Sequence, residues 1–391
     1  MVKGYTFGFF TKQIHSIKDR LVIFFLIFRF LSENSLHFAL MVAFIIRRLL
    51  KGLVVVVGVV IVVFFVFQIL PGDPTDQYAR NTDPKTLERI RQEMGLDRSR
   101  PMQLLLYLND ISPISIHAFT KANAEKYEYI PFFVLGEYAL VLKKPYLRRS
   151  FNRLTPVSDI LWPRLNATIW LTVSALMLAT VLGIFFGLVT ALNRNTFLDN
   201  FISTLAIVGL SLPSFVSAMT ISVTFGFYLS DYTGLDPTGQ LFEQTVYGRK
   251  LRLENLILPA ITLGIRPLAI ITQLTRGSMI ETLNQDYIRT ARAKGLPEYL
   301  VILKHALKNA LNPVVTSISN WLILLLTGAF FVELIFDWKG LGWVTLKAVE
   351  TQDLPLIMAS TLIVATIFVV VNVIVDIIYA LLDPTVTPSN R

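Results

Sequence analysis

Six apolar segments, each about as long as a bilayer is thick, constrain this chain more than any other feature. A transmembrane helix needs about 20 consecutive, mostly apolar residues. The segments that approach or exceed this length are 53–70, 165–192, 201–229, 256–274, 313–336 and 354–382. Because a bilayer offers no water to the backbone, such segments must be helical. The sequence therefore predicts an all-α polytopic membrane protein with six transmembrane helices.

The composition agrees with a membrane protein and sets other classes aside. Hydrophobic residues make up 53% of the 391 residues, charged residues only 16%, and the mean hydropathy is +0.58. The net charge of +9 would suit a nucleic-acid binder, but basic cytoplasmic loops and anionic membrane lipid explain it here, so no nucleic acid is expected. With no cysteine and four scattered histidines, we expect no disulfide, no thiolate chemistry and no metal site.

Basic residues set the predicted orientation. Arg47, Arg48 and Lys51 directly precede the first apolar segment, and positive charge beside a span favours the cytoplasmic side. Six spans return the C-terminus to that side. We therefore expect a multi-pass protein with both termini in the cytoplasm and an enlarged external loop after the first span.

Four regions follow from this arrangement. Residues 1–40 form an N-terminal extension whose apolar run is too short to span a bilayer. This extension is either an interfacial helix or a dispensable segment that the native protein lacks. Mass spectra of the native protein that show peptides upstream of Met41 would exclude the second alternative. Residues 41–70 form the first transmembrane helix. The external region, 71–164, carries an aromatic-rich insert near 111–145, either a small packed cap or an added contact for a binding protein. Residues 165–391 form a five-helix core with a cytoplasmic loop, 276–312.

The loop 286–313 is rich in charge although it lies between apolar segments, with five basic and two acidic residues. Gly295 is placed to end one helix and Pro297 to begin the next. Tyr287, Ala291 and Gly295 are spaced to share one helix face. After the break, the spacing predicts an apolar stripe of Tyr299, Leu303, Ala306 and Ala310. The pattern indicates a docking surface; the alternative is a solvated basic loop that only fixes topology.

Polar, charged and kink-forming residues within or at the ends of the later spans are candidates for a second site. Pro213, between Ser211 and Ser214, makes either a plain kink or part of a path. Arg266 either forms an internal ion pair, for which Asp376 is a candidate, or lines a path. Glu333 is either a gate residue or a buried helix-end carboxylate.

Two stretches of the loop, RTARAKGL and HALKNALNPVVT, resemble the EAA loop of permease subunits in bacterial ABC importers of the dipeptide and oligopeptide group, first-permease type. LPGDP, LSLPSF, ELIFDWKGLGW and LLDP follow in the family's order, and the resemblance covers about residues 41–110 and 146–388. Ala291 matches the second alanine of the family's Glu-Ala-Ala start, and Gly295 its glycine. Arg289 and Thr290 depart from the first two positions, so no role for a glutamate carries over.

The resemblance implies roles for these residues. In that family the loop inserts into a groove of the ATPase subunit, and the coupling positions implied here are Ala291, Gly295, Leu296, Pro297, Glu298 and His305. The LSLPSF segment lies near the translocation path in the family. The candidate path residues are Ser211, Pro213, Ser214, Arg266, Glu333 and Asp376.

The implied function is that of the permease subunit of an ATP-driven peptide importer in the bacterial inner membrane. No P-loop is present, so the chain is predicted to be no enzyme and to bind no cofactor, with ATP used by a partner. The implied partners are a second related permease, two ATP-binding subunits and an extracytoplasmic substrate-binding protein, beside membrane lipid.

Three alternatives stay open. The same machine imports nickel, glutathione or another small solute. A secondary transporter would use Arg266 and Asp376 as an ion relay, although no internal repeat is apparent. A membrane anchor or receptor would be built around the insert at 111–145, but an anchor does not need six spans.

Overall fold

The computed structural model describes residues 43, 45–66, 83, 88, 91, 96–153, 155–245 and 248–382. The N-terminal extension 1–40, the turn at 71–74 and the LLDP ending from residue 383 onward therefore lie outside the described residues, as does part of the predicted first span. The chain divides into two compact units. One holds the described residues up to Val55 and from Val369 onward; the other spans Val56–Phe368.

The first half of the chain places a small mixed domain between two membrane-length helices. The elements are α1 (Ile45–Val66), α2 (Arg100–Ile111), β1 (Ile114–Ala118), α3 (Lys121–Tyr127), β2 (Ile130–Leu135), β3 (Tyr138–Leu142) and α4 (Val157–Leu192). The strands form an antiparallel sheet in the order β1-β3-β2. We call residues 100–142 the sheet domain.

The second half is helical apart from one hairpin. It holds α5 (Phe197–Ser211), α6 (Ser214–Val223), a π-helix (Thr224–Tyr228), α7 (Ser230–Thr233), β4 (Phe242–Thr245), β5 (Gly248–Leu251) and α8 (Glu254–Leu283). It continues with α9 (Asp286–Ala293), α10 (Glu298–Leu300), a second π-helix (Val301–Ala306), α11 (Leu307–Ala310) and α12 (Asn312–Gly328). It ends with α13 (Phe330–Ile335), α14 (Leu341–Glu350) and α15 (Leu354–Leu382).

The helical membrane architecture predicted from the sequence is confirmed. Within the described residues, α1, α4, α8 and α15 are each long and apolar enough to cross a bilayer. Two bent pairs, α5 with the segment 214–228 and 298–310 with 312–326, raise the number to six if each pair counts as one span. The predicted number of six thus depends on these two breaks.

The all-α prediction contained neither the sheet domain nor the β4–β5 hairpin. The sheet domain is the larger of the two. Its strands ISIHA and YALVL alternate between exposed and buried positions, the period-two pattern of a half-buried sheet. Because these strands are short, their alternating pattern is a much weaker signal in the sequence than the long apolar segments.

The longest described helices, α4 and α8, pack closely through glycine. A Cβ atom on Gly183 would lie 2.7 Å from Ile271 Cγ2, and one on Gly187 would lie 2.7 Å from the Thr272 carbonyl oxygen. Gly264 of α8 makes the reciprocal approach to α4, at 3.0 Å from the Ala175 carbonyl oxygen. Small residues at this spacing let two membrane helices touch along their backbones.

Candidate functional site

The loop after α8 turns at the corner predicted from the sequence. Helix α9 ends at Ala293, Gly295 has a φ of +74°, and Pro297 precedes α10 in an extended conformation. A left-handed φ favours glycine because a Cβ would be strained there. The loop begins later than expected, however. Helix α8 continues to Leu283, so the segment predicted to start at residue 276 starts at residue 284.

Two polar contacts brace the corner. Arg292 donates two hydrogen bonds to Glu298 across the turn, from Nη2 to Oε1 at 2.7 Å and from Nε to Oε2 at 3.2 Å. The Asn309 side-chain amide donates to the Tyr287 hydroxyl at 2.9 Å. The first contact closes the turn, and the second joins α9 to α11. Glu298, one of the predicted coupling residues, therefore holds the shape of the corner.

The inner side of the loop packs into the end of the helix bundle. Its buried residues form one cluster with Ala191 of α4 and Met279 of α8; they are Ile288, Ala291, Val301, Ala306 and Ala310. Ala291 therefore faces the chain itself, whereas Tyr287 and Gly295 are exposed. The predicted shared face of Tyr287, Ala291 and Gly295 is not formed as one docking surface.

The outer side of the loop carries exposed apolar and aromatic side chains. We call Tyr287, Leu296, Tyr299 and Leu303 the loop surface; each is at least 36% exposed. Tyr299 and Leu303 were predicted to share a stripe with Ala306 and Ala310, which are buried instead. The π-helix at 301–306 explains the difference, because its wider turn rotates all later residues relative to a 3.6-residue period. Lys304 and Lys308 are exposed beside this surface, and His305 is half-buried.

An ion pair between a buried carboxylate and a partly exposed arginine holds the bundle just above the loop. Asp199, 1% exposed, accepts hydrogen bonds from Arg276 Nε at 2.7 Å and Nη2 at 2.8 Å. The Asn195 backbone N–H donates to the same carboxylate at 2.9 Å. The pair ties the start of α5 to the last turns of α8. Sequence reasoning missed it, since 77 residues separate the partners.

The predicted third span is broken rather than kinked. Helix α5 ends at Ser211, Leu212 and Pro213 are extended, and α6 begins at Ser214 with an axis turned by 110°. The Ser211 hydroxyl donates to the Ile207 carbonyl oxygen at 2.9 Å. The break leaves helix-end carbonyl groups on one side and helix-start N–H groups on the other, in an exposed segment. Such a segment is tolerated at membrane depth where it lines a cavity or meets protein.

The two charged residues considered as an ion pair have different surroundings. Asp376 is paired with Arg48, with Nη1 and Oδ2 2.9 Å apart, and this corrects the expected partner. Arg266 is exposed in the middle of α8, and the described residues provide no carboxylate within ion-pair distance of it. Its neighbour Ile265 lies against Gly209 of α5, close to the broken segment.

Glu333 is the helix-end carboxylate of the two alternatives. Its side chain is fully buried and caps α14, accepting hydrogen bonds from the Gly342 N–H and, at 3.0 Å, the Trp343 N–H. Thr168 of α4 donates its hydroxyl to Glu333 at 2.6 Å and accepts the Leu341 N–H at 2.8 Å. Glu333 thus clamps the turn between α13 and α14 onto α4, in place of an N-cap side chain at Gly340.

Comparison with known proteins identifies a family. The profile of the binding-protein-dependent transport system inner membrane component matches residues 183–388, and that of the N-terminal part of such membrane components matches residues 41–172. A Brucella suis biovar 1 protein named as a peptide permease is 35% identical over 349 residues, covering 88% of this chain and 99% of its own length.

Two further relatives cover the same shares of both chains. The dipeptide transport system permease protein DppB of Alkalihalophilus pseudofirmus is 33% identical over 362 residues. The glutathione transport system permease protein GsiC of Pectobacterium atrosepticum is 35% identical over 347 residues.

Proposed function

Because this chain belongs to the family of inner-membrane components of binding-protein-dependent transport systems, we propose that it is the permease subunit of an ATP-driven importer of peptides. In this proposal the chain forms part of the passage through the membrane, and a separate ATPase supplies the energy. ATP is a ligand of that partner, and this chain needs no cofactor of its own.

The loop surface is the observation that supports coupling to an ATPase. Tyr287, Leu296, Tyr299 and Leu303 are exposed on a charged loop, where no bilayer is needed to explain them. Exposed aromatic and apolar side chains with a basic rim suit a protein partner. Gly295, Pro297 and Glu298 set the angle of the corner, and the inward packing of Ala291 holds the loop to the bundle. His305 lies between the two sides.

Motion at the loop reaches the spans through two connections. The cluster around Met279 joins the loop to α4 and α8, and the Asp199–Arg276 pair joins α8 to α5. ATP binding and hydrolysis in the partner then bias the bundle between two arrangements that open to opposite sides, the alternating-access scheme.

The broken segment is the best-supported part of a passage. Ser211, Pro213 and Ser214 lie where α5 ends and α6 begins, and the exposed Arg266 lies nearby on α8. A charged side chain inside a span seldom faces lipid, so Arg266 faces the passage or the second permease. A cation there suits the carboxylate that every free peptide carries. Glu333 is closed off in this arrangement, and Asp376 is occupied by Arg48.

The proposed assembly holds this chain, a second related permease, two ATP-binding subunits and an extracytoplasmic substrate-binding protein. It lies in the bacterial inner membrane with both termini in the cytoplasm, as Arg47, Arg48 and Lys51 favour. Relatives named for peptides and for glutathione, itself a small peptide, support a peptide as the solute.

The coupling proposal is tested by co-purification from native membranes in mild detergent. A tagged wild-type chain should bring down a P-loop ATPase and a second permease. Leu303→Asp should lose the ATPase, because it places a charge on the loop surface, while keeping the second permease. Phe197→Asp is the matched control: Phe197 is exposed near the same end of the bundle but outside the loop surface. Retention of the ATPase by Leu303→Asp would contradict the assignment.

The solute is tested separately by uptake. Vesicles that hold the complete assembly should take up labelled dipeptides or oligopeptides only with ATP and the binding protein. Uptake of glutathione instead would move the chain to that branch of the family. Uptake that survives ATP depletion but stops with a proton uncoupler would point to an ion-gradient transporter.

A further inference from the structure

The sheet of the sheet domain is covered on one face along β1 and β3 and bare on the other, while β2 is exposed on both faces. On the covered face, His117 stacks on Tyr127 of α3 with ring centroids 4.1 Å apart, and Val141 is fully buried. The bare face carries two cross-strand rows, which we call the outer sheet face: Ile114–Leu142–Ile130 and Ile116–Leu140–Phe133. All six side chains are 39–67% exposed, and none is polar.

The outer sheet face is a contiguous apolar patch. Neighbouring strands lie about 4.8 Å apart and same-face residues about 6.8 Å apart along a strand, so three strands and three rows, with Tyr138 and Leu135 in the third, cover roughly 300 Å². Single exposed apolar residues are ordinary, whereas a contiguous patch of about 300 Å² is comparable to the largest patch of a typical monomer, which is often functional.

Helix α2 fixes the height of the domain against the membrane helices. Its residues Leu104, Tyr107 and Leu108 pack in one cluster with Val60 and Phe64 of α1; Met358 of α15 belongs to the same cluster. Val60 and Phe64 are part of an uncharged membrane-spanning run. The domain is therefore attached at the level of the span ends and not on a stalk above them.

The apolar surface of α2 continues onto the sheet. The side of α2 away from the cluster exposes Met102, Leu105 and Leu106. One turn later, Asn109 grips β1 with two hydrogen bonds of 3.0 Å, from Nδ2 to the Ile116 carbonyl oxygen and from the Ile116 N–H to Oδ1. Helix and strand thus form one surface that starts at the spans.

Two exposed basic residues lie beside this surface. They are Arg100, at the start of α2, and Lys144, two residues beyond Leu142 at the end of β3. A basic segment with an apolar face is the combination that binds an anionic bilayer surface.

We propose that the outer sheet face rests in the interfacial layer of the bilayer, with its apolar rows against phospholipid acyl chains. A partner that binds and leaves in each transport cycle would meet polar side chains within its contact, and these two rows have none. The proposal depends on the membrane location of the chain and not on the transported solute.

The absence of cysteine makes a direct test practical. Spin labels are attached to single-cysteine variants Ile116→Cys, Phe133→Cys and Leu140→Cys in the complete assembly, reconstituted in phosphatidylethanolamine and phosphatidylglycerol vesicles. Lys121→Cys is the control, since Lys121 is exposed on α3, which covers the opposite face. Collisions with oxygen, which concentrates in lipid, are compared with collisions with a water-soluble nickel complex.

At all three positions we expect an oxygen-to-nickel ratio several-fold above that of Lys121→Cys. A ratio equal to that of the control would place the face in water and overturn the proposal. Protection from both reagents would overturn it as well, because a protein partner would then cover the face. The labelled positions are exposed, so each variant should keep wild-type membrane levels and uptake.

Discussion

Replacing Thr168 with valine tests the clamp that joins α4 to the turn before α14. The valine methyl occupies the space of the hydroxyl but forms no hydrogen bond. The change removes the 2.6 Å bond to Glu333 and the 2.8 Å bond from the Leu341 N–H. Both partners are buried, so neither recovers its bond from bulk water.

The magnitude follows from these two bonds. A side-chain hydrogen bond contributes about 0.5–1.5 kcal/mol, and a buried N–H left without a partner costs about 1–3 kcal/mol. Hydrogen bonds in membrane proteins contribute toward the low end of such ranges. We therefore expect Thr168→Val to lower the free energy of unfolding by about 2 kcal/mol.

Thr168→Ser is the matched control, because it keeps the hydroxyl and loses one methyl group, at a cost of about 1 kcal/mol. Thermal unfolding of the purified chain in one detergent, followed by tryptophan fluorescence, compares the two variants. Trp338 and Trp343 lie in the clamped turn, so its loosening is visible. Equal stability of the two variants would refute the argument that the hydroxyl carries the clamp.

Three further predictions concern the loop, the ion pair and the sheet domain. Gly295→Arg should abolish ATPase co-purification while the chain keeps its normal level in the membrane, because the arginine would fill the open space at this left-handed position, which the ATPase occupies in the proposed complex. Gly295→Asn should keep binding, because asparagine tolerates that φ. Arg276→Gln should lower the free energy of unfolding by about 1–3 kcal/mol, since Asp199 loses its hydrogen bonds from a charged partner that is 31% exposed; Arg276→Lys should lose less in the same melting assay. Burial, and then Lys143, lower the pKa of His117, so the unfolded chain binds this proton first and stability falls as the pH drops below about 6.5. The protection factors of the strand amides, corrected for the slower intrinsic exchange at low pH, should therefore fall on acidification, and His117→Phe should remove that dependence.

The sequence predicted best what a bilayer dictates. Apolar length and flanking arginines are local properties, and they gave the membrane helices and the choice of a helical fold. The corner at Gly295 and Pro297 was equally local, since one residue supplies a left-handed φ and the other starts a helix.

What sequence reasoning missed depends on register or on distant partners. The π-helix at 301–306 places Leu303 and Ala306 on different faces, and no residue type predicts such a turn. Pro213 signalled a disturbance, but not its 110° bend. The Asp199–Arg276 and Thr168–Glu333 contacts join residues far apart in the chain, and a single sequence does not pair them.

The glycine seam between α4 and α8 has a mechanical consequence. With Gly183 and Gly187 seated against Ile271 and the Thr272 carbonyl oxygen, neither helix can slide without collision, so the two behave as one stiff beam. A displacement at one end of this helix pair is therefore transmitted to its other end. Bending must then occur where the chain is not helical. The extended residues Leu212 and Pro213, between α5 and α6, provide such a hinge.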